Sequence, residues 1–360
     1  MMQLDEVRGS LRAAGARPLH ETLALRAWSR GLPLDALARR GEAQFPARMQ
    51  AALPAISQAL AGLAGLQSEH PAADGSARWL LRLGDGQTIE SVLLPQDGVC
   101  VSSQVGCAVG CLFCMTGREG LRRHLGSAEI VAQVALARVR RAVRRVVFMG
   151  MGEPAHNLDN VLAAIALLGT EGGLGHKNLV FSTVGDPRVF ERLPAGPVKP
   201  ALALSLHTTK PELRARLLPR APRMDPADLV MRAEDYARRT GYPIQYQWTL
   251  LAGVNDGDDE LEAIARLLAG KYAVMNFIPY NTIEGASFAR PSGERAAAMA
   301  RFLHQRGVLA KLRRSAGQDV DGGCGQLRSR AAGSGRRPAD IPKAADLRYL
   351  GAGHQARGEA

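Results

Sequence analysis

From Val99 onward the 360-residue chain repeats one pattern: a short apolar run, a polar turn, then a longer amphipathic stretch. Strand-like runs fall at 99–102, 145–149, 179–183, 200–206, 244–250 and 274–278. Helical periodicity covers 127–143, 158–168, 211–217, 226–240, 258–268 and 293–307. Ser127 reads as an N-cap, and Asp225 as another, with Pro226 at the first helical position. Each helix carries the chain back to the same end, so consecutive strands must run parallel. The expected class is α/β, with the sheet curled wholly or partly into a barrel and ligands at the carboxyl ends of its strands.

Residues 1–75 read as a small helical accessory domain, with Leu23, Leu25, Ala27 and Trp28, then Leu34 and Leu37, then Leu60, Leu63 and Leu66 at near-helical spacing. A hairpin follows: Trp79–Leu83 and Ile89–Leu94 flank a turn that begins Gly84-Asp85-Gly86. The core is expected over 76–328, and 329–360, rich in Gly, Ala, Arg and Pro, reads as a disordered tail. No run approaches a membrane span and the first residues lack a secretory signal, so the expected location is the cytoplasm, where thiols stay reduced. A net charge of +12, carried mostly by arginine, points to a polyanionic partner such as nucleic acid.

Cys107, Cys111 and Cys114 follow the first of the parallel strands, in the run Gly-Cys-Ala-Val-Gly-Cys-Leu-Phe-Cys. Three thiolates cannot close a four-coordinate zinc site, and a ferredoxin-type cluster takes four. The spacing fits a 4Fe-4S cluster with one iron open to a reacting ligand; zinc binding and accident are the other readings of the bare pattern. After the second strand, Met149-Gly150-Met151-Gly152-Glu153-Pro154 brings backbone amides and a carboxylate to the same end. Ser182, the run Ser205-Leu206-His207, and Asn281 fall at later strand ends. Singly each has a plain structural reading: Glu153 as a solvated turn carboxylate, Ser182 as a helix cap, His207 as a packed core histidine, Asn281 as a turn former. In register at one face of a barrel they read as a cofactor pocket.

The three-cysteine run resembles the signature of the radical S-adenosylmethionine (SAM) superfamily. More narrowly, Cys100-Val-Ser-Ser-Gln-Val-Gly-Cys107, Gly150-Met-Gly-Glu-Pro154, Leu204-Ser-Leu-His207 and Gly323-Cys-Gly-Gln-Leu327 together resemble the RlmN/Cfr family of RNA methyltransferases. The similarity runs from about Glu90 to Leu327. It implies a partial (β/α)6 radical SAM barrel and one 4Fe-4S cluster on Cys107, Cys111 and Cys114. It also implies two SAM molecules per turnover, held by Gly152, Glu153, Ser182, Ser205, Leu206, His207 and Asn281.

The resemblance also gives Cys324, Cys100 and Glu90 their implied roles. Cys324 would carry a methyl group whose radical adds to adenine, Cys100 would resolve the protein–RNA adduct through a disulfide with Cys324, and Glu90 would accept a proton. Carbon 2 of adenine is electron-poor and no nucleophile, which is why a radical route is needed. The plain reading of Glu90 is a solvent-facing strand glutamate, and of Cys324 an ordinary cysteine.

The implied substrate is an adenosine of 23S ribosomal RNA, with transfer RNA second, and an electron donor such as flavodoxin would serve a monomeric enzyme. Arg138, Arg140, Arg141, Arg144 and Arg145, with Arg313, Arg314 and Arg328, are candidates for phosphate contacts, a minority of which are expected to touch RNA. The N-terminal region matches the family only loosely, and Phe181-Ser-Thr-Val-Gly185 stands where the family has Ser-Thr-Ser-Gly. These departures leave methylation at carbon 8 as an alternative within the family. From other classes come a radical SAM enzyme acting on a peptide and a non-catalytic iron–sulfur RNA-binding protein.

Overall fold

The computed structural model describes residues 1–38, 44–118 and 120–329; most of the span read as a tail, 330–360, lies outside them. Three helices open the chain: α1 (Leu4–Ala13), α2 (Pro18–Ser29) and α3 (Ala47–Ala61). Next come β1 (Ala64–Pro71), β2 (Ala77–Leu83), β3 (Thr88–Leu94), β4 (Gly98–Cys100), β5 (Gln104–Gly106), α4 (Met115–Arg118) and β6 (Leu121–His124). The repeating part consists of α5 (Ser127–Arg140), β7 (Arg145–Phe148), α6 (Leu158–Thr170), β8 (Leu179–Thr183), α7 (Pro187–Ala195), β9 (Ala201–Ser205), α8 (Pro211–Leu217), α9 (Pro226–Thr240), β10 (Ile244–Leu250), α10 (Asp258–Leu268), β11 (Ala273–Pro279), α11 (Gly293–Gln305) and β12 (Ala310–Leu312).

One ten-stranded sheet runs in the order β1-β2-β3-β4-β7-β8-β9-β10-β11-β12. It is antiparallel from β1 to β4 and parallel from β4 onward. The expected β–α frame is therefore present, and the hairpin is β2–β3. The central parallel strands β7, β8 and β9 are largely apolar, as strands covered on both faces tend to be: Val146, Leu179, Val180, Phe181, Leu202 and Leu204 are all fully buried.

Two details of the sequence reading change and a third holds. Helical spacing carried through Leu66 runs too far, because residues 64–71 form β1, a bulged edge strand paired with β2. The cap of α5 is Gly126, whose N–H is held by the Glu129 carboxylate at 2.8 Å. Ser127 instead accepts the N–H of Leu4 at 2.9 Å and docks α1 onto α5. Asp225 does cap α9, accepting the N–H of Ala227 at 2.7 Å, with Pro226 next and Gly241 closing the far end.

Candidate active site

A small apolar core sits beneath the cysteine loop: Cys107, Val109 and Phe113 pack with Leu213, Leu217 and Tyr280, among others. Backbone bonds fix the loop to the end of α8, Leu112 N–H to the Leu217 carbonyl at 3.1 Å and Arg220 N–H to the Val109 carbonyl at 3.2 Å. Gly106 enters the loop at φ +78°, and a Cβ there would lie 1.9 Å from the Gly120 carbonyl oxygen, so no other residue fits.

The serine and glutamine before the cysteines tie this strand end to the next one. The Ser102 hydroxyl donates to the Glu90 carbonyl at 2.6 Å and accepts the Met151 N–H at 2.8 Å. The Gln104 side-chain carbonyl accepts the Glu153 N–H at 2.8 Å. Gly152, at φ +105°, crosses so closely over Gln104 that a Cβ would meet its side chain at 2.7 Å. Gln104 and Ser102 were visible in the sequence only as part of a motif; their work is to set the height of Glu153.

Cys107, Cys111, Cys114, Glu153, Gly152, Ser182, Ser205 and His207 line one cavity of about 150 Å³ at the carboxyl ends of the strands. Leu206 is fully buried and does not line it, and neither does Asn281. Asn281 lies behind Cys324, donating to the Cys324 carbonyl at 3.0 Å and to the Ser315 hydroxyl at 2.8 Å. Cys324 lines this cavity and also a second one of about 430 Å³, which holds Cys100, Arg145, Arg313 and Arg314. The second volume falls in the range of about 300–1,000 Å³ usual for ligand pockets. Glu90 lines neither cavity. It is fully buried, so the solvent-facing reading fails, and its carboxylate takes Arg78 at 2.5 Å and the Arg328 N–H at 2.9 Å.

Burial pushes the Cys107 thiol up to about 12, with repulsion from Cys114 adding to it. Burial likewise raises Cys111 well above its usual value, reinforced by Cys114 and Cys107, and raises Cys114. The three thiols thus share one field, and only a cationic group offsets the cost of ionising them together. Among the described residues no three Cys, His, Asp or Glu side chains are placed to hold a metal ion. Three thiols of one loop, with no fourth protein donor beside them in the motif, fit a polynuclear cluster in which each serves a separate iron and one position stays open.

Beside the cysteines the cavity carries one carboxylate, which can take a cationic group. Glu153 is buried and turned inward, its oxygens accepting the N–H groups of Ala155 and Val184, each at 3.1 Å. Burial raises it to about 7 against those bonds and that of Thr183. His207 is held at φ +62°, a strained backbone for a non-glycine residue, by Asn255, which donates to its carbonyl at 2.7 Å. Burial lowers its imidazole to about 3, with the Arg214 charge contributing, and leaves it neutral.

Sequence reasoning missed Gln247 and Arg214. Gln247 lines the cavity with a buried side-chain oxygen that has no partner. Arg214 donates to the carbonyls of Val184 and Ser205 and so braces two strand ends. Neither lies in a recognisable motif; only the fold brings them in.

A profile of the radical SAM superfamily matches residues 101–268. A protein of Aromatoleum aromaticum named "Probable RNA methyltransferase" is 73% identical over 334 residues, 93% of this chain and 94% of its own. One of Leptothrix cholodnii with the same description is 66% identical over 346 residues, 96% of this chain and 100% of its own. The crystal structure of a radical SAM methyltransferase from Sphaerobacter thermophilus aligns with a TM-score of 0.77 at 34% identity, covering 91% of this chain and 98% of that one. With the cysteine loop, the Gly150–Pro154 turn and the Cys324 loop meeting at one end of a partial barrel, the chain belongs to the RlmN/Cfr family of radical SAM RNA methyltransferases.

Proposed function

We propose that this protein methylates carbon 2 of an adenosine in RNA, through a methyl group carried on the sulfur of Cys324. The observation that carries this reading is the position of Cys324 where two cavities meet, one lined by the three cluster cysteines and the other by Cys100. A methyl carrier must face the source of the radical on one side and the acceptor base on the other.

When bound, the 4Fe-4S cluster on Cys107, Cys111 and Cys114 supplies the electron that cleaves SAM to a 5'-deoxyadenosyl radical. The carboxylate of Glu153 takes the SAM ammonium group, and Gly152, Ser182, Ser205 and His207 bound the space for the remainder. Asn281 acts from behind, by fixing the Cys324 backbone. Cys324 takes its methyl group from one SAM; a hydrogen atom leaves that methyl to the radical made from a second. The resulting methylene radical adds to the electron-poor ring carbon; the adduct regains its aromatic ring by giving up one electron, which the oxidised cluster would take back, and the ring proton, for which Glu90 is the assigned acceptor. Attack of the Cys100 thiolate on the Cys324 sulfur then breaks the sulfur–carbon bond as the disulfide forms, and the released carbon takes a proton to complete the methyl group.

The names of the relatives support RNA as the substrate, and 23S ribosomal RNA is the first target, transfer RNA the second. Electrons come from a donor such as flavodoxin, and the enzyme works as a monomer in the cytoplasm; among the described residues no helix is long and apolar enough to cross a membrane. Of the arginines in the basic runs, Arg138 and Arg141 are bound to main-chain carbonyls, and Arg140, Arg144 and Arg328 to acids. Arg145, Arg313 and Arg314 line the Cys100 cavity and form no ion pair among the described residues, so they are the candidates for RNA phosphate. The test is mass spectrometry of ribosomal and transfer RNA from cells with and without the protein. Loss of a 2-methyladenosine supports the reading; loss of the 8-methyl isomer instead, or of neither, defeats it.

A further inference from the structure

Cys324 sits in a stretch of irregular chain, residues 313–329, that has little secondary structure of its own, and the fold must hold it by other means. One set of anchors comes from the end of the parallel strands and the cysteine loop, where Asn281 holds the Cys324 carbonyl and the Met115 N–H the Gly325 carbonyl; a second set lies on the antiparallel strands at the far edge of the sheet. Asp74, in the β1–β2 turn, accepts the Gly317 N–H at 3.0 Å, and the Ala73 N–H reaches Asp319 at 3.0 Å. The unusual anchor is the buried pair on the hairpin. Glu90 stands opposite Leu80, so Arg78, two residues along β2, shares its face.

Arg78 divides its guanidinium between two acceptors. One nitrogen donates to Glu90 at 2.5 Å and Nε donates to the Val320 carbonyl at 2.5 Å, 242 residues away in sequence. The second Glu90 oxygen takes the Arg328 N–H at 2.9 Å. Val320 and Arg328 bracket Cys324 on either side. The pair therefore serves this segment as well as the hairpin, through Nε of Arg78 on one side and a carboxylate oxygen of Glu90 on the other. Arginine suits the task because its planar fork serves two acceptors at fixed angles, which a lysine ammonium does not.

We propose that Arg78 is a positioning residue for Cys324. Through Val320 directly, and through Glu90 to Arg328, it latches both ends of the 320–328 segment to the β2–β3 hairpin. The latch keeps Cys324 at the junction of the cavities and keeps Gly322 to Gly325 in the wall of the cavity that Cys100 also lines, so that releasing the segment opens Cys100 to reagents. It also ties Glu90 to the loop: the carboxylate cannot lose Arg328 or face a base until the segment lifts. That consequence rests on the methyl-transfer reading, whereas the latch itself does not.

The experiment measures the shielding of Cys100 in the cluster-loaded protein, without turnover. A pulse of N-ethylmaleimide under anaerobic conditions, followed by peptide mass spectrometry, gives the alkylation rate at each cysteine. In wild type Cys324 reacts and Cys100, buried in the cavity wall, is protected. In Arg78→Met the Cys100 rate is expected to rise at least tenfold while iron–sulfur absorbance is kept. Because that variant leaves a buried charge alone, R78M/E90L removes both partners and guards against simple unfolding; the same rise is expected. Arg78→Lys, which keeps the pair with Glu90 but not the fork, should fall between. An unchanged Cys100 rate in R78M/E90L with intact absorbance overturns the latch, whatever the enzyme methylates. If the latch holds in this assay and no methyladenosine depends on the protein in cells, it is the functional reading that fails.

Discussion

The Nδ1 of His207 accepts the backbone N–H of Thr249 at 2.9 Å. An amide can only donate, so this nitrogen is unprotonated and the ring proton sits on Nε2. The ring packs on Phe113 at 4.8 Å between centroids. His207 is therefore packed, as the plain reading has it, and also a fixed neutral group that lines the cavity. Replacing it with alanine should weaken SAM binding about tenfold, the worth of one hydrogen bond of ~1–1.5 kcal/mol. Calorimetric titration of the cluster-loaded variant checks this.

Glu153 sets a pH dependence. Burial raises its carboxyl from 4.5 to about 7. Below that value it is neutral and above it charged, and only the carboxylate attracts an ammonium group. SAM affinity should thus rise as the pH is raised through about 7, with proton release on binding at lower pH. Stability runs the other way. The folded state holds this proton more tightly than the unfolded chain does, so the group costs stability increasingly between 4.5 and about 7 and levels off above. Glu153→Gln should flatten both curves, as titrations and melting scans across the range would record.

Gln247 offers a contrast between stability and binding. Its unpartnered buried oxygen is a burden on the folded state. Gln247→Leu removes it, so the melting temperature should hold or rise. SAM affinity should nevertheless fall several-fold, because the cavity loses an acceptor. Equal loss of both would make Gln247 a packing residue only.

Arg313 and Arg314 are expected to meet RNA phosphate. Each contact removed should lower the slope of log affinity against log salt by about 0.7–0.9. The double alanine variant, titrated with deproteinised ribosomal RNA at several salt concentrations, should therefore lose about 1.4–1.8 from the slope. Arg140→Ala, which breaks only a surface pair with Glu69, should leave it unchanged.

Much of this fold was written in the chain as alternating apolar and amphipathic runs. The ends of α8, α9 and α10 fall where the periodicity puts them. Elements that escaped have weak local signals. β1 is a polar, bulged edge strand, β5 and β12 are three residues each, and α7 carries Pro194 within it. At the site, the cysteine spacing and the Gly152-Glu153 turn were legible because ligand chemistry restricts local sequence. The burial of Glu90 was not, since its partner Arg78 and the Arg328 N–H come from remote parts of the chain. Asn281 shows the same limit: its place at a strand end was readable, but not that it turns toward the Cys324 backbone.

The claim that Cys324 carries the methyl carbon and Cys100 releases it is tested most directly by a Cys100→Ala protein isolated from cells. Without the resolving thiol the adduct cannot open, so mass spectrometry should find an RNA fragment bonded to the peptide that contains Cys324. A Cys324 peptide free of RNA, in cells where the methyladenosine is still made, would contradict it.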